Sequence, residues 1–321
     1  MSVTDEQPPN PVTIDDTFAE AFPMVAARAI VTADTARWAE IAGRTMSGYG
    51  TSVIGCDAEA AIERILGPEE TPDGRPGVSI LLFSFGREPL EKAVVNRVGQ
   101  CVMTCPTTAC YNGLPLGEKP IEVGSRLRYF GDGWQISKRL DGRRYWRIPV
   151  MDGEFTCEAT FGTTKGVAGC NFILLGTCSS ATLAAAEAAV AAIAPLPGVV
   201  TPFPGGIARS GSKVGSKYKA LRASTNAAFA PTLRGLVPSE LPTEVRCGYE
   251  VVIDGLTLEA VEHATAVGVR AGCGPGVVRV TSGNYGGKLG PFHIRLHDVL
   301  GRFGPGPGSG SGAEQPVDQL A

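Results

Sequence analysis

Short apolar runs, punctuated by Gly, Pro and Asp, divide the chain into alternating strand-like and helix-like segments. In the second half, residues 171–177 (NFILLGT) form a continuous apolar run of strand length. Residues 180–194 carry the alanine-rich pattern of a packed helix, and 197–203 (PGVVTPF) read as a strand opened by Pro-Gly. The same order recurs downstream. Residues 249–255 (YEVVIDG) predict a strand, 256–269 a helix with apolar positions at helical spacing, and 275–281 (PGVVRVT) a strand. Two β-α-β units that share Pro-Gly-Val-Val predict a βαββαβ, ferredoxin-like lobe. The first half reads likewise: strand 25–32, a helix capped by Asp34 and running to residue 45, strand 51–54, a short helix 57–66, a long apolar strand 78–85, helix 88–99 and strand 101–105. Between the halves, Asp-Gly pairs stand at 132–133, 141–142 and 152–153. They suit the positive φ of hairpin turns and predict an antiparallel β-meander over 126–158, with Pro149 marking an edge.

The predicted class is therefore α+β, two ferredoxin-like lobes with an added antiparallel meander. Its divisions are a flexible extension 1–13, an N-terminal lobe 14–165 that includes the meander 126–158, a C-terminal lobe 166–303 and a disordered tail 304–321. The tail (GPGPGSGSGAEQPVDQLA) is flexible by composition.

Composition narrows the function. A 43% hydrophobic content supports packed cores, and 321 residues suit two domains. The formal net charge of −3 offers no basic field for nucleic acid. Charged residues at 19% fall below the usual share of roughly a quarter, unlike an ion-pair-laden hyperthermophile surface. The polar, acidic start (MSVTDEQPPNPVT) has no secretion-signal pattern, and no apolar run reaches membrane-spanning length. Nine scattered cysteines read as reduced thiols in a cytoplasm.

The stretch 201–219 (TPFPGGIARSGSKVGSKYK) holds four glycines, three serines and three lysines, a composition that wraps an anion or forms an ordinary surface loop. Gly206 and Gly211 have the gap of the Walker pattern. Ser212 and Lys213 then stand in the inverse of the order that phosphate and magnesium binding need. A second glycine pair before a lysine, SGNYGGKLG, follows the second β-α-β unit. His293 and His297 would suit a metal on a helix, but PFHIRLHD reads as a strand running into a turn, with no acidic or thiol cluster beside it. Cys101, Cys105 and Cys110 match neither paired Cys-x-x-Cys nor a ferredoxin run and read as buried thiols. No Gly-x-Ser-x-Gly elbow and no dinucleotide fingerprint is present. The odd residue is Glu250, a carboxylate within an otherwise apolar strand. It is paired, solvated at a cleft wall, turned outward by strand alternation, or protonated through desolvation. In the last case it is an acid able to donate a hydrogen bond at neutral pH.

DDTFAEAFPM, TSVIGCDAEAAIER, EETPDGRPG, GQCVMTCPTTAC, TPFPGGIARSGSKVGSKYK, ASTNAAFAPTLR, YEVVIDGL and SGNYGGKLG together resemble the formylmethanofuran:tetrahydromethanopterin formyltransferase family, over residues 12–297. The resemblance implies an acyltransferase that moves a formyl group between N5 of tetrahydromethanopterin and the amine of methanofuran (methylofuran in bacteria). These are its carrier substrates, with no metal and no nucleotide. It also implies ferredoxin-like lobes and self-association, with the cleft near a subunit interface. The low charge, abundant Gly, Ala and Arg, and the meander look most like the bacterial branch, whose members serve in a formyltransferase/hydrolase complex beside a zinc-dependent formyl hydrolase subunit. The family's catalytic glutamate falls on Glu250. Substrate contacts fall on Phe203, Gly205, Gly206, Ser210, Gly211, Ser212 and Lys213 of one loop, on Asn284, Tyr285, Gly286, Gly287 and Lys288 of the other, and more weakly on Asn112, Thr107 and Thr108. The anions expected there are carboxylates of the furan cofactor's glutamate-rich tail, while Phe203 and Tyr285 stack on flat rings. An alternative is a non-catalytic subunit that only docks the furan cofactor. A small-metabolite regulatory module would explain the fold but not the two loops.

Overall fold

The computed structural model describes residues 11–304. The expected N-terminal extension is described only from residue 11, and the expected tail, apart from Gly304, lies outside the described residues. Strand β1 (Thr13–Ile14) already belongs to the fold. It pairs in parallel with a C-terminal strand, Thr13 opposite Arg279.

The first lobe runs β2 (Phe18–Thr32), α1 (Ala36–Ser47), β3 (Glu59–Leu66), β4 (Gly77–Ser84), α2 (Arg87–Arg97) and β5 (Ala109–Asn112). Antiparallel pairs β3–β4, β4–β2 and β2–β5 set its order. Then come β6 (Ile121–Glu122), α3 (Gly124–Leu127), the meander strands β7 (Ile136–Leu140), β8 (Arg143–Val150) and β9 (Gly153–Glu158), and β10 (Thr160–Phe161), which pairs with β6. The second lobe runs β11 (Thr164–Gly176), α4 (Ser179–Ile193), β12 (Val199–Val200), the small hairpin β13 (Ser212–Val214) and β14 (Ala223–Thr225), β15 (Cys247–Gly255), α5 (Leu258–Gly272), β16 (Val277–Thr281), β17 (Phe292–Arg295) and α6 (Leu296–Arg302). Its sheet order, β12-β15-β11-β16 with antiparallel neighbours, repeats that of the first lobe. Both lobes are β-α-β-β-α-β.

The lobes are joined through β2. Residues 18–21 pair with β17, 22–26 with β11 and 25–32 with β4, so one 13-stranded sheet runs through both halves. Alanines at 19, 21, 26, 27 and 29 are fully buried, and their small side chains let other elements pack on both faces of this shared strand. Each lobe keeps its own core, and a smaller cluster of Met24, Ala26, Leu81, Phe83, Ala168 and Val200 fills the joint.

Several expected elements differ. The helix expected over 57–66 is strand β3, because pairing with β4 overrides the helical preference of EAAIER. The strand expected over 51–54 is a run of turns. Residues 101–105 extend α2 through a wide helical turn (Val98–Val102), and the strand comes later, as β5. Thr35, not Asp34, caps α1. Asp141-Gly142 makes the expected two-residue hairpin turn, with φ of 49° and 78°. Asp132-Gly133 instead follows the short helix Arg128–Gly131. Pro149 sits where β8 has outrun β7, so its missing N–H faces no partner strand.

Candidate active site

Glu250 stands in the first half of β15, opposite Ile173 of β11. Only Val199–Val200 of the expected strand 197–203 pairs with the other edge of β15. The chain returns to that edge at Ala208, whose N–H donates to the Glu250 carbonyl at 2.8 Å, while the Glu250 N–H donates back at 2.9 Å. This bridge ties the loop 201–219 to the strand that carries Glu250.

Two cavities meet at the Glu250 side chain. One, of about 410 Å³, is bordered by Ser210, Gly211, Asn226, Phe229, Tyr249 and Asn284. The other, of about 320 Å³, has an apolar wall of Phe22, Phe85, Phe203, Val252 and Leu289. Glu250, Asn171, Ser212 and Tyr285 line both. Desolvation alone acts on the Glu250 carboxyl and pushes it up to about 7, so the neutral acid is well populated at physiological pH. The Tyr285 phenol is pushed up by burial and then by the nearby charges of Glu250 and Glu20.

The second glycine loop is organised differently. Glu20 of β2, 1% exposed, accepts backbone N–H groups from Tyr285 (2.7 Å), Gly287 (2.6 Å), Leu289 (3.0 Å) and Gly290 (2.8 Å). Burial alone would raise its acid; the four donors outweigh it and hold Glu20 below the usual carboxylate range. Gly286 and Gly287, at φ of 70° and 73°, supply the left-handed backbone that curls the amides inward. The loop does wrap an anion, and that anion is the chain's own. Asn284 is also spent on structure: its amide donates to Thr17 Oγ1 and the Phe18 carbonyl, both at 3.1 Å. Lys288 is exposed and borders none of the cavities around Glu250.

The expected site residues thus divide. Phe203, Ser210, Gly211, Ser212, Asn284 and Tyr285 are brought together around Glu250. Lys213 lies next to them on a third cavity of about 650 Å³, beside Asp15, Asp16, Glu240 and Arg279. Gly205 and Gly206 belong to the short helix Pro204–Gly206, and Gly206 packs against Val190 and Thr201. Asn112 is buried in the first lobe, where its side chain bonds the backbone of Leu114 and Gly162. Thr108 bonds the carbonyl of Val102, and the Thr107 N–H donates to Asp152. The polar groups of these three are engaged away from Glu250, those of Asn112 and Thr108 by backbone and those of Thr107 by the Asp152 carboxylate and the Asp34 N–H, and none of the three lines a cavity beside it. His293, on β17, packs on Phe18 at 4.9 Å, and His297, on α6 rather than in a turn, contacts the Ile14 carbonyl at 2.9 Å. Among the described residues no three His, Cys, Asp or Glu side chains form a metal-holding group.

Sequence reasoning missed Asn171, Asn226 and Glu20. Asn171 accepts the Gly283 N–H at 2.7 Å and the Ser282 hydroxyl at 3.1 Å, joining β11 to the second glycine loop. Its signal was the one that exposed Glu250, a polar residue at an otherwise apolar strand.

The fold and cavity define a class first: a two-lobed α+β protein with a desolvated carboxylic acid at the meeting of a polar and an apolar cavity. Comparison then gives the family. Residues 8–150 match the model of formylmethanofuran-tetrahydromethanopterin formyltransferase, and 153–299 match that of its proximal lobe. The formylmethanofuran–tetrahydromethanopterin formyltransferase of Rhodopirellula baltica is 53% identical over 95% of this chain and 96% of its own length. A component polypeptide of the formyltransferase/hydrolase complex of Methylorubrum extorquens is 50% identical, over 91% and 96%. The crystal structure of that complex with methylofuran has a chain that superposes with a TM-score of 0.86 at 50% identity, covering 89% of this chain and 96% of that one. The Methanosarcina barkeri formyltransferase gives 0.85 at 47%, over 90% and 98%. The chain belongs to the formylmethanofuran–tetrahydromethanopterin formyltransferase family.

Proposed function

We propose that this formyltransferase moves a formyl group between N5 of tetrahydromethanopterin and the amine of methanofuran or methylofuran, with Glu250 as the catalytic acid. The observation that carries the reading is a desolvated carboxyl, without a charged or hydrogen-bonding partner among the described residues, at the junction of an apolar and a polar cavity. The attacking nitrogen adds to the formyl carbon, and negative charge collects on the formyl oxygen of a tetrahedral intermediate. Neutral Glu250 donates a hydrogen bond to that oxygen. As the intermediate collapses, the proton lost by the attacking nitrogen ends on the leaving nitrogen. A donor of this kind stabilises the transition state by about 3–4 kcal/mol. Substrate and product are both formyl–nitrogen compounds, so the exchange needs no nucleotide, and the proposed chemistry has no step for a metal.

The apolar cavity suits the face of a flat ring, between Phe203 and Phe85, and the polar side suits a substituted amine and its tail. Assembly in a formyltransferase/hydrolase complex is supported by the Methylorubrum extorquens relative. A zinc-dependent hydrolase partner and self-association belong to the proposal, as does a cytoplasmic location, which nine free cysteines favour. No helix among the described residues is long and apolar enough to cross a membrane. The test mixes the purified chain with N5-formyl-tetrahydromethanopterin and the furan amine and follows the pterin absorbance. Transfer is expected. Tight furan binding with no transfer, even after partner subunits are added, would replace this reading with a docking role.

A further inference from the structure

Two more carboxyl groups lie close behind the site. Asp254 is on the strand that bears Glu250, four residues on, and Glu59 opens β3 in the other lobe. Both are buried, at 0% and 4% exposure. Each holds one backbone amide: Glu59 Oε1 accepts the Val53 N–H and Asp254 Oδ1 the Gly169 N–H, both at 2.9 Å. The remaining oxygens, Glu59 Oε2 and Asp254 Oδ2, find no other donor among the described residues. The two side chains are within hydrogen-bond reach of each other, and among the described residues no cation acts on either. Two carboxylates cannot both stay ionised in such contact inside a protein, whereas one proton between them satisfies both oxygens.

The amides that this pair holds belong to the wall of the apolar cavity. Val53, with its neighbours Ser52 and Ile54, and Gly169 all line it beside Glu250. Gly169 sits at an irregularity in β11 between Val167 and Cys170, so its N–H would otherwise lack a partner. We propose that Glu59 and Asp254 share one proton between Oε2 and Oδ2, and that this acid pair is a positioning device: it fixes Val53 and Gly169, and with them the surface on which a flat ring of the substrate rests. The inference relies on the Glu250 cavity being the reaction cleft.

The other titratable groups around the pair are tied to cations or held by burial. Asp57 is engaged by Arg97 at 2.6 Å, and Glu63 by Arg28 at 2.7 Å. The thiols of Cys56 and Cys170 are held up by burial, Cys170 to about 12, with Thr265 at 3.3 Å. Glu262, which also acts on Cys170, is engaged by Arg302. Glu250 gives up its proton near 7.

Glu59→Gln keeps both hydrogen bonds, because the amide carbonyl accepts from Val53 while its N–H₂ donates to Asp254. It also removes the titrating proton. Unfolding is therefore measured against pH, between about 7.5 and about 9, for the wild type and E59Q. The folded pair binds one more proton than the unfolded chain, so wild type is expected to lose roughly tenfold in its folding equilibrium constant per pH unit relative to E59Q, until the proton leaves. Parallel slopes would refute the shared proton. Positioning is read from KM against kcat and from calorimetric binding of N5-formyl-tetrahydromethanopterin, which needs no turnover. Glu59→Ala is expected to weaken binding and raise KM about tenfold with kcat within about threefold, while E59Q stays within about twofold in both. If Glu59→Ala does not fold, the double variant E59Q/D254N turns two donors toward each other and is expected to show the same KM defect. Unchanged binding in these variants overturns the positioning role. The pH slopes read the pair whether or not the chain transfers formyl groups, so the two readings fail separately.

Discussion

Residues 201–219 and 282–290 each place a glycine pair ahead of a lysine, yet the fold uses them in opposite ways. In the second loop the inward amides of Tyr285, Gly287, Leu289 and Gly290 are all spent on Glu20. In the first, Ser210, Gly211 and Ser212 border open cavity, and Ala208 is tied to the strand of Glu250. A glycine-rich, donor-bearing loop is therefore no proof of a ligand. What matters is whether the chain already supplies the acceptor. The two carboxyls beside these loops differ for the same reason. Glu20 is solvated by amides and stays charged, whereas Glu250 has no such shell and takes up a proton near neutrality.

Substitution of the two glutamates separates their roles. Glu250→Ala, which removes the donor that a glutamine amide would replace, is expected to lower kcat by about 100- to 1,000-fold with the fold intact, which steady-state kinetics and circular dichroism would check. A turnover number equal to wild type would remove Glu250 from the chemistry. Glu20→Gln leaves one side-chain oxygen to serve the amides and exchanges a charged acceptor for a neutral one. It is expected to destabilise by about 2–3 kcal/mol in denaturant melts while retaining most turnover per folded molecule.

The pH dependence carries the same contrast with opposite signs. Glu20 has a folded value below that of the unfolded chain, so its contribution is present above the unfolded value and fades as pH falls through the folded one. Glu250 is raised to about 7, so the stability linked to its proton is complete below the unfolded value and is lost as pH rises through about 7. Turnover that needs the neutral acid should fall across the same alkaline limb. In Glu250→Ala the residual rate should no longer fall there. A residual rate that still fell through the same pH range would assign that limb to another group.

The repeated Pro-Gly-Val-Val made the β-α-β-β-α-β order readable in the second half, because both copies turn the chain at the same point of the unit. β3 was unreadable, since EAAIER favours a helix locally and only its pairing with β4 decides otherwise. Glu250 was legible as a polar break in an apolar strand. Glu20 and Asp254 are breaks of the same kind, but their partners lie far along the chain, on the second glycine loop and on Glu59. Periodicity can show that a buried carboxyl needs an explanation. It cannot show which distant amide or acid provides one.

The smallest expected effects come from the lysines, and they test the loop contrast most directly. Lys213 shares its cavity with Asp15, Asp16 and Glu240, and Asp15 is already paired to Arg279 at 2.7 Å. A carboxylate-bearing tail passing there needs Lys213 against a field that is otherwise acidic. Lys288 is exposed on a loop whose amides are already satisfied. Lys213→Ala is therefore expected to raise KM for the furan amine about three- to fivefold at low salt, with kcat within about twofold and the difference shrinking as ionic strength rises. Lys288→Ala should change KM by less than about twofold at any salt concentration, as exposed lysines without a buried partner do. Measuring both variants at two ionic strengths decides it: if Lys288→Ala gave the larger, salt-sensitive defect, the open loop and the self-satisfied loop would have to exchange roles.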